Sequence, residues 1–203
     1  MKTTTSPKLK DYLFADLGGT LLRVEFRGER AAYASGSEAV VKDALTGVLE
    51  TGQVRGIVLA AAGPVRGGSC ELTNLGWTVT TAQVSRWFGG VPVALLNDVE
   101  AQGYGALSVD EKTRVRWTGP KSSPSSEERQ TLLIGHGPGI GAALLLNGET
   151  PRVFPTESGH ASYAPDIGVG RDYAAHVREH DGMATIETAL SGRAFSQLFH
   201  FFD

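Results

Sequence analysis

The chain has 203 residues, 41% hydrophobic and 20% charged, with a net charge of −3, enough for one large domain or two small ones with their own cores. So mild a charge, with Lys8 and Lys10 too few for a basic arm, argues against a nucleic-acid partner or a membrane-surface partner, and residues 1–7 lack the apolar core of a signal peptide. No run approaches a membrane span, and one cysteine, Cys70, allows no intramolecular disulfide, so a cytoplasmic location is expected.

The first informative stretch runs from Asp11 to Phe26. Tyr12 to Ala15 is an apolar run suited to a buried strand; Leu22, Val24 and Phe26 alternate with Arg23 and Glu25 as in a half-buried partner. Gly18 and Gly19 are expected to close this hairpin with positive φ and leave backbone N–H groups pointing outward, where they bind anions. Asp16, at the strand end, is placed to hold a hydrated Mg²⁺ beside phosphate oxygens collected by Gly18, Gly19 and Thr20. A plain hairpin with an incidental aspartate is the other reading. No Gly-Lys-Ser/Thr follows, so this is not a P-loop.

Ser37 is read as the cap of a helix with Val40, Val41, Ala44, Leu45, Val48 and Leu49 on one face, ending near Gly52. Gly56 to Ala62 is a continuous apolar run of the kind buried on both faces of a sheet, ended by Gly63-Pro64. Cys70 to Thr73 is a short strand, and Thr81 caps a helix through Val84, Trp87 and Phe88 that closes at Gly89-Gly90. Val91 to Leu96 is a further buried strand, with Asn97 and Asp98 at its end before a helix from Val99 to about Ser108. Asp98 has two readings there, an N-cap or a functional carboxylate.

The polar stretch from Val109 to Gln130, with Pro120 and Pro124, reads as an interdomain connection. It divides a small N-terminal α/β domain, residues 1–109, from the first part of a larger α/β domain, residues 110–203. Thr131 to Ile134, the turn Gly135-His-Gly-Pro-Gly139 and Ile140 to Leu146 then repeat the opening strand, turn and strand, as in two related domains. Pro155 to Pro165 is a loop carrying Glu157 and His160. Arg171 to Glu179 and Ala184 to Leu190 are helical, and Ser191 is expected to cap a last helix with Ala194, Phe195, Leu198 and Phe202 on one side. Its three phenylalanines near the end call for a cover, either a missing C-terminal segment or a second copy in a homodimer. The five histidines and the Glu157-Ser-Gly-His160 spacing do not form a zinc motif.

Taken together, Ala15-Asp-Leu-Gly-Gly-Thr20, Leu96-Asn-Asp98, Gly135-His-Gly-Pro-Gly-Ile-Gly141, and Glu157-Ser-Gly-His160 followed by Glu187 to Gly192 resemble the bacterial glucokinase family. That family lies within the sugar kinase, actin and Hsp70 superfamily. Ala62-Gly-Pro-Val65 with Leu72-Thr-Asn-Leu-Gly-Trp77 resembles its sugar-side loop. The resemblance implies an actin-like ATPase (ribonuclease H-like) fold of two α/β domains, the second incomplete, and ATP-dependent phosphorylation of the 6-hydroxyl of glucose. It implies Asp98 as general base; Asn97, Asp98, Glu157, His160, Glu187 and Asn74 as sugar contacts; and Mg·ATP on Asp16, Gly18, Gly19, Thr20, Gly137 and Gly139.

The chain departs from the family in two places. Pro138 stands where the family usually has threonine in the second phosphate turn, which removes an N–H and a hydroxyl. The family also continues past this endpoint. A sugar-binding remnant without phosphoryl transfer is therefore the alternative, and an actin-like ATPase module that takes no sugar is a third. A related sugar-responsive repressor would need a helix-turn-helix before Asp11, where the tail is too short.

Overall fold

The computed structural model describes residues 9–50, 52–113, 115 and 130–203. Two compact units, Met1–Ala101 and Gln102–Asp203, divide the chain. In the first, β1 (Tyr12–Leu17) pairs antiparallel with β2 (Leu21–Phe26), which pairs antiparallel with β3 (Glu29–Ala34). On its other side β1 lies parallel to β4 (Gly56–Ala61), and β4 lies parallel to β8 (Val93–Asn97). The resulting order is β3-β2-β1-β4-β8. A small antiparallel sheet of β5 (Val65–Arg66), β6 (Ser69–Leu72) and β7 (Trp77–Thr80) is not hydrogen-bonded to it but adds Cys70, Leu72 and Val79 to the same core.

The expected central strand is β4, in which every residue but Val58 is buried. Its apolar run is continuous because, with parallel neighbours, both faces are covered. Leu13, Leu17, Leu22, Ile57 and Leu59 from the sheet pack with Val41 and Leu45 of α1 (Glu38–Thr46) and Val84 of α2 (Thr81–Trp87). Each such side chain contributes roughly 1.5–3 kcal/mol of burial.

Local chemistry differs from the sequence reading at several helix ends. Ser37 precedes α1 but makes no side-chain cap bond, and Val40 and Leu49 are exposed while Val41 and Leu45 turn inward. The cap of α2 is Thr80 and not Thr81: Thr80 Oγ1 accepts from Gln83 N–H, and Gln83 Oε1 accepts from Thr80 N–H, a reciprocal capping box. Strand β3 had no sequence signal, since all six of its residues are exposed and its edge position asks for no alternation.

The second unit opens with a meander of the same order. β9 (Gln130–His136), β10 (Ile140–Leu146) and β11 (Arg152–Thr156) are successively antiparallel, in the order β11-β10-β9. β9 stands where β1 stands in the first sheet. It carries no parallel neighbour among the described residues, and its Leu132 and Ile134 are each 62% exposed. The second unit thus holds the antiparallel half of such a sheet, in keeping with the incomplete second domain.

After this meander come α4 (Gly168–Asp181), α5 (Ile186–Leu190) and α6 (Phe195–Phe202). Tyr173, Ala174 and Val177 of α4 and Ala189 of α5 form its small core, with Leu198 and Phe201 against them. The expected face of α6 is corrected by this packing. Leu198 and Phe201 face inward, whereas Phe195, Phe199 and Phe202 are 60%, 67% and 66% exposed. Ser191 is buried but makes no cap bond. Most of the polar stretch, residues 114 and 116–129, lies outside the described residues, and Gln130 already belongs to β9.

Candidate functional site

Asp16 is the penultimate residue of β1, and the register sets it opposite Arg23 of β2. Arg23 Nη1 donates to Asp16 Oδ2 at 2.9 Å. The turn that follows is not built on positive φ: neither Gly18 nor Gly19 has it. Space is the constraint instead. A Cβ on Gly19 would meet Asn74 Nδ2 at 3.0 Å and a Cβ on Gly18 the Leu21 carbonyl oxygen at 3.2 Å. Asn74, expected to touch sugar, thus lies against the first glycine turn.

Ser35, which the sequence reading missed, fixes that turn: its Oγ donates to the Gly18 carbonyl at 2.7 Å and its N–H to the Thr20 carbonyl at 2.9 Å. Gly18 N–H is taken by the Leu21 carbonyl. The N–H groups of Gly19 and Thr20 have no protein acceptor among the described residues, so they are the donors this turn offers an anion.

At the end of β8, Asn97 is 8% exposed. Its Oδ1 accepts from the N–H groups of Val99 (2.9 Å) and Glu100 (3.1 Å), and its Nδ2 donates to the Gly63 carbonyl and to Asp98 Oδ1, each at 3.0 Å. Asn97 is therefore the cap of α3 (Asp98–Leu107), the role the sequence reading had weighed for Asp98. An amide has two donors and two acceptor lone pairs, and all four are engaged here within the protein. Gly63, read in the sequence as part of the Gly63-Pro64 break, is the anchor for the Asn97 amide.

Asp98 is the first residue of α3, and its Oδ1 also accepts from Val99 N–H at 2.9 Å. Both of these side-chain bonds fall on Oδ1, and Oδ2 takes part in neither. Burial raises the Asp98 carboxyl above its ordinary 3.8; the Val99 N–H opposes this, the charge of Asp16 adds to it, and the Asp98 N–H and Asn97 amide oppose it. Two strand ends thus bring Asp16 and Asp98 within electrostatic reach of each other. Carboxylate oxygens carrying surplus negative charge suit a hard divalent cation that keeps most of its water. Among the described residues no group of three or more His, Cys, Asp or Glu can hold a metal.

In the second unit Glu157 precedes the 3₁₀ turn Ser158–His160 and His160 ends it, with His160 Nδ1 and Glu157 Oε2 3.3 Å apart. Both side chains are exposed. Between them Gly159 is buried, and a Cβ there would collide with the Ile140 carbonyl. The turn is pressed against the start of β10 with no room for any other residue.

Glu187 serves the second glycine turn. Its Oε2 accepts from Ile140 N–H at 2.8 Å and its Oε1 from Arg193 Nη2 at 3.0 Å. Arg193 Nε donates to the Pro138 carbonyl at 3.1 Å, Gly192 N–H to the Gly137 carbonyl at 2.7 Å, and His136 Nε2 lies 2.8 Å from the Leu190 carbonyl. Gly137 N–H is taken by the Gly139 carbonyl at 2.9 Å. With proline at 138, the Gly139 N–H is the one backbone donor this turn keeps open among the described residues, against two in the first turn. Arg193 had no sequence signal. A cavity of about 810 Å³ adjoins this region, lined by His176, His180, Glu187, Arg193 and His200.

No described helix is long and apolar enough to cross a membrane. The glucokinase family model matches residues 13–203. A glucokinase-like protein of Xylella fastidiosa is 29% identical, over 94% of this chain and 60% of that one, and a glucokinase of Brucella suis is 34% identical over 72% and 42%. The crystal structure of a glucokinase from an Antarctic psychrotroph shares the fold with a TM-score of 0.71 and 25% identity, over 94% of this chain and 63% of that one. The glucokinase of Balamuthia mandrillaris, solved in complex with glucose, has the same fold at a TM-score of 0.68 and 21% identity, covering 90% of this chain and 59% of its own. The chain spans about 60% of the length of the first of these relatives. On the match that runs from Leu13 to the last residue, the chain belongs to the glucokinase family.

Proposed function

We propose that this chain carries the sugar site and the phosphate turns of an ATP-dependent glucokinase, which transfers the γ-phosphoryl group of ATP to the 6-hydroxyl of glucose. The observation that carries this reading is the state of Asp98: oriented through Oδ1 by Asn97 and Val99, and raised above its ordinary value by burial. As the sugar oxygen attacks the γ-phosphorus, its proton passes to Oδ2 of Asp98, the new P–O bond forms, and the bond to the leaving diphosphate breaks. A raised carboxyl is a stronger base for that transfer than an ordinary one.

Glu157 and His160 are the sugar ligands in this reading, because an exposed carboxylate and imidazole can accept from and donate to vicinal hydroxyls. Glu187 keeps lone pairs for a third contact, whereas Asn97 would have to exchange an existing bond to make one. Asn74 sits beside the first turn as a further contact. In this reading the open N–H groups of Gly19 and Thr20, and that of Gly139, would serve as the phosphate donors; Gly18 and Gly137 have theirs already engaged. Asp16 would hold Mg²⁺ through water, and the ion would supply charge neutralisation on the phosphate oxygens. A cytoplasmic setting suits the free, buried thiol of Cys70.

A coupled assay of glucose phosphorylation on this chain and on Asp98→Ala tests the reading; equal rates would remove Asp98 from it. The second reading, a sugar binder without turnover, draws on the second turn, where Pro138 and the engaged Gly137 leave few donors. Calorimetry separates the two. Heat from glucose that depends on Glu157 and His160, with none from ATP, would favour the binder.

A further inference from the structure

The second glycine turn is poor in backbone donors, yet a guanidinium lies directly on it. Arg193 Nε donates to the carbonyl of Pro138, the residue that removes an N–H, and Nη2 donates to Glu187 Oε1. A guanidinium has five N–H donors in a fixed planar fork. Two are engaged in those bonds, which leaves about three free, and the side chain is 73% exposed.

The guanidinium is held at the turn from two directions. Glu187 reaches across to Ile140 N–H on the far side of the turn, and Gly192 N–H holds the Gly137 carbonyl. No side chain separates the two segments: a Cβ on Gly139 would meet Glu187 Oε2 at 2.6 Å, and one on Gly192 the Gly137 carbonyl oxygen at 2.8 Å. Glu187 cancels part of the positive charge but leaves the free N–H groups of the fork in place. Bonds from a guanidinium to phosphate are charge-assisted and about twice as strong as neutral ones, so one arginine can replace the N–H and hydroxyl that threonine would offer.

We propose that Arg193 is a phosphate-binding residue of the turn at 137–139, taking the terminal phosphates of a nucleoside triphosphate in place of the donors absent at Pro138. The proposal deepens the kinase reading and rests on it for the nucleotide, but phosphate binding can be measured by itself. Titrating the full chain with inorganic tripolyphosphate by calorimetry, with thermal melts as a fold control, should give an affinity about 10- to 100-fold weaker for Arg193→Ala. Arg193→Gln reaches as far as the Nε position and keeps a donor there for the Pro138 carbonyl while losing the charge and the outer fork, so it should melt like the parent and still lose affinity. Adding Pro138→Thr to Arg193→Gln should restore part of the loss.

No tripolyphosphate binding by the parent chain, or binding by both Arg193 variants as tight as the parent's, overturns the proposal. Arg193-dependent tripolyphosphate binding in a chain that does not phosphorylate glucose upholds it and removes the kinase reading. Glucose phosphorylation with an unchanged KM for ATP in Arg193→Gln does the reverse.

Discussion

The amide of Asn97 donates to Asp98 Oδ1 at 3.0 Å while its own carbonyl oxygen caps the helix that Asp98 begins. Cap and carboxylate are therefore adjacent residues with separate tasks. The cap fixes the direction of the carboxylate, and the Gly63 carbonyl in turn fixes the cap. Removing the amide should be felt twice. Asn97→Ala is expected to cost about 1–2 kcal/mol of stability for the lost cap, and to lower kcat more than it raises KM for glucose, since Asp98 loses its orientation. Urea unfolding and steady-state kinetics on the same preparation check both. An effect on KM alone would mark Asn97 as a sugar ligand only.

Asp98→Asn should stabilise the protein near neutral pH while it abolishes phosphoryl transfer. Burial, the largest influence, holds the Asp98 carboxyl above 3.8 in the fold, so folding favours the protonated form. The stability associated with that proton is fully present below the unfolded value of 3.8 and is lost as pH rises through the folded value. Asparagine removes that pH dependence and still offers an oxygen to Val99 N–H. The melting difference between variant and parent should therefore grow with pH above 3.8 and level off once the folded value is passed. A difference that is constant from acid to neutral pH would show that ionisation of Asp98 carries no such cost.

What was legible in the sequence was what burial dictates. The run at β4 announces a strand because both of its faces are covered, and the carboxylates at the ends of β1 and β8 could be placed because a strand end is where an apolar run stops. The less legible features are those decided by neighbours. Thr80 and Thr81 are chemically equal as caps, and only Gln83 closing on Thr80 separates them. Phe195, Leu198, Phe199, Phe201 and Phe202 share one broad face of α6, opposite Ser196, Gln197 and His200, so periodicity could not say that the Leu198 and Phe201 edge of that face meets Tyr173. Within the site, Arg193 and Ser35 hold the glycine turns through backbone carbonyls, a role that any stretch of sequence with the same residue types would fit.

Gly159→Ala tests how the pair Glu157 and His160 is held. A Cβ at 159 would run into the Ile140 carbonyl, which is backbone of β10 and does not move aside cheaply. Overpacking of this kind costs about 1–3 kcal/mol, and here the turn carrying both proposed sugar ligands must shift. The expected result is a lower melting temperature together with a raised KM for glucose, while the KM for ATP changes less. Unchanged melting would mean that the turn can rise off the strand freely.

Glu187→Ala separates a sugar ligand from a structural tie. Without sugar, the Glu187 carboxylate already accepts from Ile140 N–H, which is part-buried, and from Arg193. Truncation leaves that N–H without a partner, at about 1–3 kcal/mol, and releases the fork of Arg193 from one of its two holds on the 137–139 turn. The variant should therefore melt lower even in the absence of glucose, and its affinity for tripolyphosphate should fall along with its affinity for sugar. Were Glu187 a sugar contact alone, the ligand-free protein would melt as the parent does and only glucose binding would weaken. Glu187→Gln gives the intermediate case, since its amide oxygen can still accept from Ile140 N–H but the charge on Arg193 is no longer matched. It should recover most of the stability, and its affinity for tripolyphosphate should lie between those of Glu187→Ala and the parent.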